Sequence, residues 1–203
     1  MPDEIAEVLT IGHSNHATDT FLGLLRAAAV TAIADVRSIP FSRRHPQFDR
    51  ERLAADLGRE GIAYVHLGVQ LGGRPADPLL WRDGVADFER IAATPAFREG
   101  LDRVVAGAQI HRLALMCSER DPLHCHRCLL IGRALVARGV GVGHLLADGT
   151  TRSQADIEAD LLALAGLDDA QADLLLAPEE RLALAYRDHV RRLYRAGGVT
   201  RRL

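Results

Sequence analysis

Short apolar, β-branched runs alternate along this chain with segments of helical period, and that alternation limits the fold more than any other feature. Residues 8–11, 32–36, 62–66, 113–117 and 141–146 read as strands. Between them, 19–29, 49–60, about 85–106 and 127–137 read as helices, with Asp49 as an N-cap and Gly61 as a stop. Repeated βα order needs right-handed crossovers, so a Rossmann-like α/β fold is expected: a parallel sheet of about five strands with helices on both faces. From Ser153 to near Ala196 the pattern is helical throughout, with Pro178 opening a helix. This divides the chain into a Rossmann-like α/β domain over residues 1–150 and a helical C-terminal extension over 151–203, packed on it.

A chain of 203 residues fills one such domain and an appendage. Its formal net charge of -2 argues against attachment to nucleic acid by bulk charge, although a local basic patch stays open. All 25 basic residues are arginine, which removes Schiff-base chemistry on a lysine. No run reaches transmembrane length and Met1-Pro-Asp-Glu lacks a basic leader start, so a cytoplasmic location without a membrane partner is expected. The three cysteines, Cys117, Cys125 and Cys128, lie within twelve positions. In a reducing compartment that set reads as reactive thiols, ligands or core residues rather than a disulfide framework.

In open parallel sheets ligands bind beyond the carboxyl ends of the strands. Those ends carry His13 and Asn15 after strand one, Asp35 and Arg37 then Arg43 and Arg44 after strand two, and His66 with a glycine-rich loop holding Arg74 after strand three. Strand four delivers Cys117, Glu119, His124, Cys125, His126 and Arg127 just before a helix, where backbone N–H groups and the helix dipole favour an anion or a thiolate. Strand alternation puts Asp35 and Arg37 on one face, either as an ion pair closing the strand end or as an oriented arginine clamp for phosphate or carboxylate. Glu119 reads as a general base, a ribose-hydroxyl acceptor or simply a partner for Arg120 or Arg127.

Three chemistries fit the cysteine–histidine cluster. Cys125 beside His124 and His126 suits nucleophilic catalysis, with Arg127 binding the anionic part of a substrate. Neither Cys117 nor Cys125 has an arginine six positions later, so the cysteine-phosphatase pattern is absent. Cys125-His-Arg-Cys128 has the spacing of a C-x-x-C redox pair at a helix start. Metal binding is the third reading, although all the ligands crowd into one segment and His13 or His66 would have to complete the set from other strands. No metal ligand is assigned, and the cofactor is left open.

The ordered motifs Thr10-Ile-Gly-His-Ser-Asn15, Asp35-Val-Arg-Ser38, Ser42-Arg-Arg44 with Pro46 and Phe48, Gly61-Ile-Ala-Tyr-Val-His-Leu67 with Leu71-Gly-Gly73, and Cys117-Ser-Glu-Arg-Asp-Pro122 through Cys125-His-Arg127 closely resemble the domain of unknown function 488 family. Tyr186-Arg187 is similar to that family's C-terminal pattern, whereas Cys128 departs from the residue that usually follows the Cys-His-Arg triplet. The resemblance implies a cytoplasmic α/β protein of bacteria or archaea with a shared pocket. Its motif falls on His13, Asn15, Asp35, Arg37, Arg43, Arg44, His66, Cys117, Glu119, Cys125, His126 and Arg127. It implies no particular reaction.

The expected function is an enzyme, a hydrolase or transferase, acting on a phosphate-bearing small molecule, nucleotide or nucleic-acid component. Cys125, His126, Glu119 and Asp35 are its expected catalytic groups, and His13, Asn15, Arg37, Arg43, Arg44, His66 and Arg127 its substrate-binding groups. The expected partner is an anionic small molecule or nucleotide; nucleic acid is compatible, and a protein partner is unspecified. The alternatives are a non-catalytic nucleotide- or anion-sensing module and a metal-binding protein using the Cys/His cluster.

Overall fold

Val8–Gly12 (β1) is buried at every position, as a strand in the middle of a sheet covered on both faces must be. It pairs in parallel with Leu113–Cys117 (β6) on one side and Val142–Leu145 (β7) on the other, in a register that sets Gly12 beside Cys117. Ala32–Asp35 (β2) lies between β6 and Ala63–His66 (β3), both parallel to it. A short sixth strand, Thr151–Ser153 (β8), joins β7 in the antiparallel sense and completes the order β3-β2-β6-β1-β7-β8. The computed structural model describes residues 7–168 and 176–196, so the Met1-Pro-Asp-Glu start and the last part of the expected C-terminal extension lie outside them.

Alternation along the strands sorts the core into two layers. Leu9, Ile11, Ile33, Ala114 and Met116 face Phe21, Leu22 and Leu25 of Thr18–Ala27 (α1) and Leu53 and Leu57 of Arg50–Arg59 (α2). On the other face Val8, Ala34, Leu113, Leu115 and Cys117 meet the second set of helices. These are the short Gly68–Leu71 (α3), then Phe88–Ala92 (α4), Pro95–Ala108 (α5), Arg133–Val136 (α6), Gln154–Ala165 (α7) and Pro178–Ala196 (α8). The α/β class, the parallel sheet and the flanking helices are as the periodicity predicts.

The differences have local causes. The helix expected over about 85–106 is broken. Trp81–Arg82 (β4) and Val85–Ala86 (β5) form a hairpin through Asp83 and Gly84, both with positive φ. Asp87 then caps α4, and Thr94 with Pro95 restarts the chain as α5. Asp49 does precede α2, but its carboxylate accepts from the backbone N–H of Ser42 at 2.8 Å instead of capping the helix. The helix expected over 127–137 opens as a π-turn, Arg127–Gly132, before narrowing into α6. β8 begins one residue past the expected boundary at 150, so the sheet continues into the segment read as purely helical. Among the described residues, no helix is long and apolar enough to cross a membrane.

Candidate functional site

The chain leaves adjacent strands β1 and β6 in opposite directions, β1 toward β2 and β6 toward β7. Such divergence opens a crevice at the carboxyl ends of the two strands. A cleft of about 550 Å³ lies there, bounded by Arg37, Ser38, Gly73, Arg74, Cys117, Ser118, Glu119, His124, Cys125 and His126. Ile39, Phe41 and Leu193 give it an apolar wall. Two glycines allow its close approaches: a Cβ on Gly12 would collide with the Glu119 carbonyl, and one on Gly73 would sit 2.7 Å from Cγ of His126.

At the cleft floor, Cys117 closes β6 and Cys125 stands in extended backbone just before the π-turn. His126 Nε2 donates to the Val36 carbonyl at 3.0 Å, which leaves the Nδ1 lone pair facing Cys117 Sγ at 3.6 Å and Cys125 Sγ at 3.9 Å. The three donor atoms lie within 4.8 Å of one another. They could hold a soft cation, with the ring fixed by a backbone carbonyl as metal-bound histidines commonly are.

Arg127 is fully buried behind the two thiols. Its Nη1 and Nη2 donate to the carbonyls of Glu119 at 2.5 Å and Arg120 at 2.8 Å, and its Nε has no hydrogen-bond partner. No carboxylate among the described residues pairs with it. Burial is the largest single influence on Cys125 and opposes its ionisation. The hydrogen bond from Cys117 and the positive charge of Arg127 act against it and hold the Cys125 thiol well below the ordinary range. Cys117 goes the other way: its hydrogen bond to Cys125, then burial, push it well above that range. Of the pair, Cys125, beside the charge of Arg127, is the one favoured as the thiolate, and Cys117 the one favoured as the thiol.

Cys128 does not join them. It points into the core, where burial pushes its thiol up to about 12. The C-x-x-C spacing thus does not make a facing pair, because the π-turn carries the fourth residue under the helix; the facing pair is Cys117 and Cys125.

Asp35 and Arg37 form a buried, two-pronged ion pair, Nε to Oδ1 at 2.9 Å and Nη2 to Oδ2 at 2.6 Å. Arg37 also donates to the Phe48 carbonyl and to His13 Nε2, and Tyr64 donates its hydroxyl to Asp35 at 2.8 Å. His13, stacked on Phe48, is driven by burial down to about 4 and is neutral. His66 Nε2 meets the Arg37 carbonyl at 2.9 Å. These groups hold Arg37 at the cleft edge.

The expected site residues fall into three groups. Arg37, Glu119, Cys125 and His126 meet at the cleft, with Asp35, His13 and His66 packed behind Arg37. Arg127 is near the thiols but inside the protein, spent on loop carbonyls instead of facing a ligand. Asn15, Arg43 and Arg44 are exposed and do not line the cleft. Ser38, Arg74 and Tyr64 were not among the expected site residues, and Cys117, expected as a motif residue and as a reactive thiol or ligand, was given no catalytic or binding role. Cys117 ends an apolar strand beside the polar loop, and Arg74 follows two glycines, so both had a readable signal; Tyr64 faces Asp35 only through the β2–β3 register.

No curated protein and no solved structure matches the chain. A family model described as "Domain of unknown function DUF488" matches residues 17–134. That stretch contains Asp35, Arg37, Cys117 and the Cys125-His126-Arg127 triplet, and it is narrower at both ends than the motif resemblance, leaving out His13 and the C-terminal helices. Covering more than half of the chain, the match makes this protein a member of the DUF488 family.

Proposed function

We propose that the chain is an enzyme acting on a phosphate-bearing small molecule, nucleotide or nucleic-acid component, with Cys125 as its nucleophile. The observation that carries this reading is the placement of Cys125 at the floor of an open cleft, flanked by Cys117 and His126 and backed by the buried Arg127 guanidinium, surroundings that favour its thiolate. Arg37 and Arg74 line the cleft and suit a phosphate, whereas Glu119 is the single carboxylate among the described residues that line it. Ile39, Phe41 and Leu193 suit the flat, apolar face of a base. In this mechanism Cys125 Sγ bonds to the electrophilic atom and the leaving group departs with its electron pair. Water then attacks, His126 Nδ1 accepts its proton, and the thiolate is released. Asp35 acts through Arg37, which it orients.

Turnover of a panel of phosphorylated nucleosides tests the reading. Cys125→Ser should lower kcat by several orders of magnitude, and Arg74→Ala should raise KM about tenfold, as expected for one charge-assisted contact. Turnover unchanged in Cys125→Ser overturns it. Stoichiometric binding without turnover, indifferent to Cys125→Ser, points instead to a sensing module.

The 4.8 Å grouping of Cys117, Cys125 and His126 favours one second reading, a metal-binding protein. Against it stands Arg127, whose buried positive charge opposes a second cation beside the thiols. Addition of cobalt(II) separates the two, because thiolate coordination would give a charge-transfer band that Cys125→Ser removes.

A further inference from the structure

The proposed chemistry uses one thiol of the floor, and the second has no role in it. Cys117 is only 6% exposed and Cys125 only 2%, yet both border the cleft, and their sulfurs lie within 4.8 Å. A disulfide needs them at about 2.05 Å. Cys125 is the one extended residue between two helical turns, its N–H bonded to the Pro122 carbonyl and its own carbonyl accepting from Cys128 and Leu129, so a side-chain rotation with a local shift of this junction would close the gap. Cys128, the partner suggested by spacing, is held away in the core.

We propose that Cys117 and Cys125 form a thiol–disulfide exchange couple for small, carboxylate-bearing disulfides, a second activity of the same cleft. Arg37 and Arg74 meet the carboxylates, and a cleft of about 550 Å³ has room for a peptide-sized disulfide. Cys125 thiolate attacks one sulfur of the disulfide; a bond to Cys125 forms and one small thiolate leaves. Cys117 gives its proton to His126 Nδ1, 3.6 Å away, and attacks Cys125 Sγ. The protein disulfide forms, the second small thiolate departs and takes that proton. One disulfide is thus reduced to two thiols, and the two protein thiols are oxidised by two electrons. Oxidation removes the thiolate favoured beside buried Arg127, so the equilibrium favours the dithiol and excess disulfide is needed to drive the reaction. The couple shares the reactive Cys125 with the proposed function but requires neither a phosphate nor Cys125 attack on a nucleotide.

The test is incubation of the reduced full-length protein with excess glutathione disulfide, followed by non-reducing trypsin digestion and mass spectrometry. Cleavage after Arg120 and Arg127 puts the three cysteines on separate peptides. The wild type and Cys128→Ser should give a Cys117–Cys125 linkage and release two equivalents of reduced glutathione. Cys117→Ser should stall as a Cys125–glutathione adduct with one equivalent released. A persistent adduct in the wild type, a linkage to Cys128, or no loss of thiols overturns the proposal. None of these outcomes bears on phosphorylated-nucleoside turnover, which is measured separately on the reduced protein.

Discussion

Asp35 shows how a charged residue is tolerated at zero exposure: two Arg37 nitrogens, the Arg37 backbone N–H and the Tyr64 hydroxyl satisfy its carboxylate. Removing one member leaves the other charged and buried. Asp35→Ala should therefore lower unfolding stability by about 3–5 kcal/mol, read from urea denaturation, and it should loosen Arg37 at the cleft. Arg127 makes the opposite case, a buried cation beside a thiol favoured as the thiolate. Arg127→Met, checked for folding by circular dichroism, should shift the pH midpoint of Cys125 alkylation upward by about one unit or more. The Asp35–Arg37 ion pair was legible in the sequence from the spacing of the two residues, although β2 ends at Asp35 and Arg37 lies just past it. That Arg127 turns inward was not, because it depends on the carbonyls of Glu119 and Arg120 being brought over it by the loop.

At the scale of elements, the π-turn Arg127–Gly132 joins the cleft to the helices behind it. A helical period over 127–137 announces a helix but says nothing about its width, and all six residues of the wide turn are buried. Beneath the turn runs a buried chain of hydrogen bonds. Thr10 and His144 meet at 2.7 Å, His144 and Gln154 at 2.8 Å, and Gln154 and Tyr186 at 2.7 Å, and Tyr186 donates to Glu158 at 2.6 Å. It ties β1 and β7 to α7 and α8, so the C-terminal helices are bound to the sheet by polar contacts as well as by Ile157, Leu161 and Ala185. Tyr186→Phe should cost about 1–3 kcal/mol and speed amide exchange in α8, while leaving the pH profile of Cys125 unchanged. A long-range network of this kind leaves no periodic trace in a sequence.

For the whole molecule, two buried histidines set the acid limit. His13 and His144 are both driven down to about 4, chiefly by burial, from an ordinary value near 6.5. Below pH 6.5 the unfolded chain takes up protons that the folded one refuses, so their contribution is complete above that pH and is lost as pH falls toward 4. The unfolding free energy should fall steadily from pH 7 to pH 4, by at most about 3 kcal/mol per histidine, read from denaturation curves at each pH. The arrangement of parallel strands was readable from apolar runs and their spacing, and with it the edge of the sheet where the polar residues collect. Which of those residues converge depends on strand order: β6 inserted between β2 and β1 brings Cys117 and Arg37 to one crevice and leaves Arg43 and Arg44 on an outer loop. The charge of one sulfur, Cys125 Sγ, decides the chemistry of the cleft. Alkylation of each cysteine against pH, followed by peptide mass spectrometry, should show Cys125 reacting as a thiolate well below the ordinary midpoint of about 8.5, with Cys117 and Cys128 slow. A Cys125 that reacts only above that midpoint, or more slowly than Cys117, would contradict it.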